Sequence, residues 1–189
     1  MLSKPVKRDL KHNRKIYGKG YNREDGLWDI EVFLLDSKSY SFENIHRGYI
    51  SAGEPLHDMA IRLTLDDDKK IIDIEAIINA SPYNICPKAV QNCYRLKGEY
   101  LISGFNRKVI KIMGGEKGCR HITDLLAYAG TLAYQTLWKE KNSEHNKTIT
   151  IEEAKSIEKQ FTNSCFAFKK GGEAYNQYKE ILVNKLENN

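Results

Sequence analysis

The stretch HDMAIRLTLDDDKKIIDIEAII, residues 57–78, decides the fold because it contains two strands and the turn that joins them. Apolar and polar residues alternate on both sides of an acidic run at residues 66–68. Strict alternation over this length is typical of strands with one buried face. The inward-facing set is His57, Met59, Ile61, Leu63 and Leu65, then Ile72, Ile74, Ala76 and Ile78.

The acidic run also predicts the register of this hairpin. A turn centred on Asp67 and Asp68 makes every pair on the buried face apolar. The pairs are Leu63 with Ile72, Ile61 with Ile74 and Met59 with Ala76. The same register places His57 opposite Ile78.

Residues 14–36 predict another hairpin upstream. Asp25-Gly26 is a two-residue turn signal, since both central positions of a type I′ turn need a positive φ. This turn pairs Tyr21 with Ile30 and Tyr17 with Leu34. The buried face of the second strand is Trp28, Ile30, Val32 and Leu34. Residues 37–56 lack clean periodicity, and we interpret them as a long connection.

The apolar period becomes helical from residue 87. Pro87 fits the first position of a helix that Gly98 ends, with Val90, Cys93 and Tyr94 inward. A further helix is expected from Phe105 to Met113, with Val109 and Ile110 inward. The strongest helix covers 121–139. Its stripe is Ile122, Leu125, Leu126, Ala129, Leu132, Ala133 and Thr136.

Two more helices follow a polar linker at 140–148. Thr150 and Glu153 form a capping box. The helix it opens carries Ala154, Ile157, Phe161, Cys165 and Phe168 on one side. The last helix, after Gly171-Gly172, buries Tyr175, Tyr178, Ile181 and Leu182.

Strands first and helices later predict an α+β fold, in which two antiparallel hairpins form a four-stranded sheet with helices packed on it. We expect a core domain at 1–140 and a helical extension at 141–189 packed on that core.

Composition narrows the class of protein. The 189 residues carry a net charge of +5, and 41% of them are hydrophobic, which are ordinary globular values. No apolar run approaches the roughly 18 residues of a membrane span, and the charged N-terminus is no secretory signal. The four cysteines form no disulfide framework, so we expect reduced thiols in a cytoplasmic protein. Basic residues near the N-terminus favour a solvated strand over a nucleic-acid arm.

Cys86 and His57 are the first candidates for a site. If Pro87 begins a helix, Cys86 takes the N-cap, where free amides and the helix dipole favour a thiolate. The hairpin register brings His57 beside the loop that leads to Cys86. The two side chains are therefore expected in one neighbourhood.

Cys119 and His121 form the second candidate pair, at the start of the long apolar helix. A Cys-x-His pair can place one sulfur and one nitrogen on a single metal ion. With His57 and Cys86, the set becomes two sulfurs and two nitrogens, which suits zinc or an iron or iron–sulfur centre.

Structural explanations compete with each of these assignments. Cys93 and Cys165 are interpreted as core residues, and Cys86 or Cys119 could be the same. His57 could simply bond its neighbour Asp58, or act as a general base with Glu54 and Asp58 beside it. Gly114-Gly115 is more typical of a helix stop than of a phosphate cradle.

Three motifs carry a resemblance to a known family. They are GYNREDGLWD at 20–29, GEPLHDM at 53–59 and GCRH at 118–121. Together they resemble a bacterial family catalogued only as a domain of unknown function, over about residues 12–138. Where that family has Gly-Cys-Thr-His, this chain has Arg120, which leaves Cys119 and His121 in place. The resemblance implies boundaries and candidate positions but no reaction.

The layout is also similar to that of the U-type iron–sulfur cluster scaffolds. Those proteins place an antiparallel sheet first, a cysteine after its last strand and a Cys/His position at a later helix start. Cys86 and Cys119/His121 match that order. The hairpin, however, supplies His57 instead of a cysteine, and no aspartate stands two residues after a site cysteine.

The sequence therefore leaves three functions open. The leading hypothesis is a metal-binding domain that uses His57, Cys86, Cys119 and His121. The second is a metal-independent enzyme with a cysteine nucleophile and a histidine base. The third is a non-catalytic module that binds a partner through its tyrosines and basic residues such as Lys15 and Lys19.

Overall fold

The computed structural model describes residues 1–138 and 150–187. Its main feature is an antiparallel four-stranded sheet in the order β1-β2-β5-β6. These strands are β1 (His12–Asn22), β2 (Trp28–Lys38), β5 (Pro55–Leu65) and β6 (Ile71–Ala80). Between β2 and β5 lies a small hairpin of β3 (Phe42–Asn44) and β4 (Gly48–Ile50). The expected α+β fold with a four-stranded sheet is confirmed.

The helices follow the strands. A 3₁₀ segment (Cys86–Leu96) precedes α1 (Phe105–Met113), and a short 3₁₀ turn (Gly115–Lys117) leads to α2 (Arg120–Leu137). Two further helices are α3 (Ile151–Phe161) and α4 (Glu173–Glu187). None of the helices in the described ranges is long and apolar enough to cross a membrane. By its contacts the chain divides into two compact units, Met1–Leu137 and Trp138–Asn189.

One face of the sheet forms the core of the first unit. The expected inward residues of β2 are all buried, and β1, β2 and β5 contact α2. The buried stripe of α2 is Ile122, Leu125, Leu126, Ala129 and Ala133. Each buried leucine or isoleucine side chain contributes about 1.5–3 kcal/mol when it leaves water. The buried face of the strands and the apolar stripe of α2 therefore pack against each other, as the sequence predicts.

The opposite face of the sheet carries ion pairs. Arg62 of β5 donates to Glu31 of β2 through Nε at 2.9 Å and Nη2 at 2.7 Å, and it reaches Glu75 of β6 at 3.3 Å. Tyr17 and Phe33 stack on this face, with ring centroids 4.8 Å apart.

The register predicted for the first hairpin is wrong by one residue. Tyr17 lies opposite Phe33 and Tyr21 opposite Asp29, while Gly20 lies opposite Ile30. The turn has five residues, 23–27, closed by a bond from the Arg23 amide to the Leu27 carbonyl at 2.9 Å. Both tyrosines therefore point away from the helices.

Close packing of α2 explains this register. β1 presents Gly18 and Gly20 to the helix, and a Cβ on Gly20 would lie 2.7 Å from the Cβ of Thr136. A Cβ on Gly18 would collide with Leu132. Tyrosine side chains have no room there, so the face of β1 that meets α2 carries glycine.

The register predicted for the second hairpin is wrong by two residues. Leu63 pairs with Ile74, Ile61 with Ala76 and Met59 with Ile78. The turn uses three residues, 67–69, with Lys69 in the left-handed region (φ 64). A bulge adjoins the turn, because Thr64 pairs with Asp73 and Leu65 with Ile71. A shift of two keeps the faces of most residues. At the bulge, Ile71 is buried instead of Ile72, which is 37% exposed.

The interpretation of residues 37–56 as a structureless connection is wrong in part. β2 continues to Lys38, and the β3–β4 hairpin occupies much of the remainder. Its strands of three residues are too short to produce a visible period. Ile50 of β4 is nonetheless buried.

Several details of the helices in the first unit differ from expectation, among them Tyr94, which was expected inward but is 45% exposed. Ile85, not Cys86, is the N-cap of the segment that begins at Cys86, and the segment is 3₁₀ instead of α. The bounds expected for α1 are confirmed, but Ile110 is 60% exposed. The buried residues of α1 are Phe105, Val109 and Met113, a spacing of four that leaves Ile110 on the outer side.

The second unit confirms the capping box. The Thr150 hydroxyl accepts from the Glu153 amide at 3.1 Å, and the Thr150 amide donates to the Glu153 carboxylate at 2.8 Å. Phe161, Tyr175 and Leu182 form the buried cluster, whereas Ile181 is exposed. The polar linker expected at 140–148, and residue 139 of the expected helix, lie outside the described residues.

The two cysteines assigned to cores differ. Cys93 is fully buried, which confirms its assignment. Cys165 is exposed, because α3 ends at Phe161 and Cys165 lies in the turns that follow. Its assignment to the core is wrong.

Gly20→Ala is expected to destabilise the protein by about 1–3 kcal/mol, since the new Cβ forces α2 away from β1. Gly130→Ala is the matched control: its Cβ would meet only Phe105, at 3.8 Å, inside α2. That change should stabilise by about 0.5–1 kcal/mol. Urea denaturation measures both, and equal effects of the two changes would contradict the close packing of β1 on α2.

Thiol labelling should separate Cys93 from Cys165. Burial raises the pKa of the Cys93 thiol to about 11, whereas Cys165 is exposed. We expect iodoacetamide at neutral pH to label Cys165 more than about a hundredfold faster than Cys93. Peptide mass mapping gives the rates, and labelling in urea should remove the difference. Comparable native rates would show that Cys93 is not buried.

Candidate functional site

Three side chains from separate elements meet at one end of the sheet. Asp36 lies near the end of β2, His57 near the start of β5, and His121 in the first turn of α2. One ligand atom from each lies within 4.8 Å of the other two. Asp36 is fully buried, and both histidines are half-buried. We call these three residues the Asp36 cluster.

Strand pairing places two members of the cluster. Asp36 and His57 are partners across β2 and β5, and Arg14 is the partner of Asp36 across β1. All three side chains continue the inward faces of their strands. His121 then reaches the same point because α2 begins over this end of the sheet.

Arg14 holds the carboxylate of Asp36. Its Nε donates to Oδ1 at 2.7 Å and its Nη2 to Oδ2 at 2.6 Å, the bidentate geometry typical of this pair. Nε2 of His12 lies 3.4 Å from Oδ1. Burial alone would raise the pKa of Asp36, but the hydrogen bonds and charge of Arg14, with help from His57, outweigh it and lower that pKa. The carboxylate is therefore ionised.

The bond between His57 and Asp36 fixes the tautomer of His57. Nδ1 of His57 lies 3.0 Å from Oδ2 of the ionised Asp36, so Nδ1 carries the proton and donates it. The lone pair of the neutral ring is then on Nε2.

The two imidazoles contact each other, with ring centroids 4.1 Å apart and planes tilted by 42°. Burial lowers the pKa of His57, and the neighbouring charge of His121 lowers it further. Burial followed by the charge of Arg14 lowers the pKa of His121. Both rings are therefore neutral at pH 7 and offer nitrogen lone pairs.

The structure brings together part of the set that the sequence suggests. His57 and His121 are in contact, and Sγ of Cys119 lies 3.9 Å from Nδ1 of His121. Cys86 lies at the start of the 3₁₀ segment, and in residues 1–138 and 150–187 the group of ligand atoms within 4.8 Å of one another does not include its thiol. The four-residue ligand set stays a prediction.

Asp36 is the member that the sequence reasoning missed. The period of two in β2 runs through Trp28, Ile30, Val32 and Leu34, and its next inward position is Asp36. A carboxylate in the buried register of a strand was the available signal, because a buried charge needs a partner.

The alternative group of Glu54, His57 and Asp58 is not brought together. Glu54 pairs with Arg47 at 2.6 Å, and the Asp58 carboxylate accepts from Asn79 at 3.4 Å. His57 bonds Asp36, not its neighbour Asp58, because adjacent residues of a strand point to opposite faces.

Comparison with known proteins gives one match. The model of a family described as "Protein of unknown function (DUF2889)" matches residues 12–135. These residues contain the whole Asp36 cluster, and α3 and α4 lie outside them. Neither the curated proteins nor the solved structures gave a match. The likeness of layout to iron–sulfur scaffolds therefore gains no support.

The stability of the metal-free protein should fall as the pH drops from about 7 to 5. An unfolded histidine takes up a proton near its ordinary pKa of 6.5, whereas His57 and His121 in the fold do so only at lower pH. Below 6.5 the unfolded chain thus binds more protons, and the free energy of unfolding decreases.

Urea denaturation at several pH values in the presence of a chelator measures this slope. The double change His57→Gln/His121→Gln should flatten it, whereas His46→Gln, at an exposed position of the same unit, should not. An unchanged slope in the double variant would contradict the buried, neutral state of the two rings.

Proposed function

The chain belongs to the DUF2889 family, and we propose that it binds a divalent transition-metal ion, zinc or iron, at the Asp36 cluster. Asp36, His57 and His121 are the ligands, and Cys119 is the neighbouring thiol available to the same ion. The observation that carries the proposal is the convergence of three ligand atoms within 4.8 Å.

The donor set fits these metals. Two imidazoles and one carboxylate occur in catalytic zinc sites and in non-haem iron sites, both of which leave positions open for other ligands. Protons do not compete for the nitrogens at pH 7, because the pKa values of both histidines are lowered. Metal ions bind the neutral form of imidazole.

Asp36 keeps capacity for an ion despite its hydrogen bonds. Oδ2 of Asp36 and Nδ1 of His57 lie 3.0 Å apart, so an ion bound by both takes the place of the proton between them, which moves to Nε2, while Arg14 keeps its two bonds. Arg14 also restrains the carboxylate, so a ligand from β2 and a ligand from β5 are held before the metal arrives.

Cys119 lies beside this site, but its thiol is not among the ligand atoms that converge within 4.8 Å, so it binds the same ion only after its side chain shifts. Bond lengths of about 2.3 Å to sulfur and 2.0 Å to nitrogen put two ligands of a tetrahedral ion about 3.5 Å apart. The 3.9 Å between Sγ of Cys119 and Nδ1 of His121 is close to this separation.

Metal titration of chelator-treated protein tests the proposal. Zinc should bind with 1:1 stoichiometry by calorimetry, and His57→Ala or His121→Ala should each weaken binding about a hundredfold or more. His46→Ala removes a histidine on the β3–β4 turn and should change nothing. An absence of stoichiometric binding by the wild-type protein, or equal losses in all three variants, would refute the proposal.

Cobalt in place of zinc separates the ligand sets. Thiolate ligation adds a charge-transfer absorption that nitrogen and oxygen ligands do not give. Cys119→Ser and Cys86→Ser, compared with the wild-type protein, show which sulfur, if either, is bound. Loss of this absorption in both single variants would favour the four-residue set of His57, Cys86, Cys119 and His121.

A second candidate function is a metal-independent reaction with Cys119 as nucleophile and His121 as base. The 3.9 Å contact between their side chains favours it. The lowered pKa of His121 opposes an imidazolium–thiolate pair, because the ring resists a proton. Alkylation of Cys119 with and without zinc distinguishes the two functions, since only a metal ligand becomes protected.

A further inference from the structure

We propose that the metal ion of the Asp36 cluster takes a small oxyanion, a phosphate or a carboxylate, as its exogenous ligand, and that Arg14 holds this anion. The inference rests on the proposed metal site and adds the chemical class of what that site binds. Arg14, the charges around the cluster and the start of α2 carry it.

Arg14 has N–H groups that its bonds to Asp36 do not use. A guanidinium has five N–H groups, and Asp36 takes one from Nε and one from Nη2. The three remaining N–H groups, two of them on Nη1, belong to a side chain that is 40% exposed. They belong to a group that Asp36 already immobilises. A planar fork of this kind suits the paired oxygens of a carboxylate or phosphate.

The fixed charges around the cluster leave the metal's charge uncompensated. Asp36 is balanced by Arg14, and Asp124, the other acid that faces Arg14 and His121, is paired with Arg120 at 3.0 Å. Imidazole binds a metal ion in its neutral form. A divalent ion therefore adds a net charge of about +2, or about +1 with a Cys119 thiolate, and this excess attracts an anion.

The start of α2 also attracts an anion. The helix has 18 residues and begins at Arg120, next to His121, with no acidic side chain in its first turn. The positive end of the helix dipole is therefore next to the cluster and adds to the attraction for an anion. An exogenous anion would satisfy the metal, the helix end and Arg14 together, which a neutral ligand would not.

Cobalt-loaded protein provides the test. We expect inorganic phosphate, and in a separate arm acetate, to change the visible absorption of the bound cobalt with saturation. The tighter of the two identifies the class of oxyanion. Arg14→Gln should raise the dissociation constant about tenfold or more, as for a lost charge-assisted hydrogen bond.

Arg62→Gln is the matched control. Arg62 also makes a two-bond contact to a carboxylate and is 42% exposed, but it lies on the other face of the sheet. It should leave the affinity for the anion within about twofold. Arg14→Lys, which keeps the charge beside Asp36 but has fewer N–H groups, should give an intermediate affinity.

The outcomes separate the two proposals. If wild-type protein fails to bind cobalt, the metal site is refuted and this inference with it. If cobalt binds but neither anion changes its spectrum, or calorimetry gives equal anion affinity without metal, only the inference falls. An Arg14→Gln protein that binds the anion like wild type also overturns it. If neither Arg14 variant retains cobalt, Arg14 is a positioning residue for Asp36 and the anion contact is refuted.

Discussion

The carboxylate of Asp36 and the guanidinium of Arg14 set the constraint on which this end of the fold depends. A buried carboxylate without a partner is disfavoured by several kcal/mol, so the fold must bring a cation to it. The pair joins β1 to β2, and the bond from His57 joins β5 to both. Three strands are thereby aligned at one point, and α2 adds His121 there. The residues that align the strands are thus the residues of the candidate site.

Features that depend on local sequence could be predicted. The bounds of α1, the stripe of α2 and the Thr150–Glu153 capping box each follow from residues within a few positions of one another. Both hairpin registers failed because they depend on turn length. One turn has five residues in place of two, and the other has three, with Lys69 at positive φ. The packing of Gly18 and Gly20 against α2 joins residues more than 100 positions apart, and no local pattern encodes it.

The site was predictable to the same extent. His57 and His121 stand at the starts of a strand and a helix, where the sequence marks element boundaries, and they do converge. The predicted register places His57 beside the end of β6, whereas the strand that supplies its partner is β2. Asp36 is not among the predicted site residues, because cysteine and histidine are the more recognisable metal-ligand types. Its position in the buried period of β2 was the informative feature.

Two kinds of charge pair hold the sheet, and salt distinguishes them. On the open face, Arg62 links Glu31 and Glu75 while 42% of its side chain is exposed, so dissolved salt weakens these contacts. The two pairs differ in their carboxylates: 62% of the Glu75 side chain is exposed, whereas Asp36 is sealed from solvent, so added salt weakens the bond between Asp36 and Arg14 less. Rising ionic strength therefore weakens the ion pairs of Arg62 across β2, β5 and β6 first, while the Arg14–Asp36 pair between β1 and β2 persists.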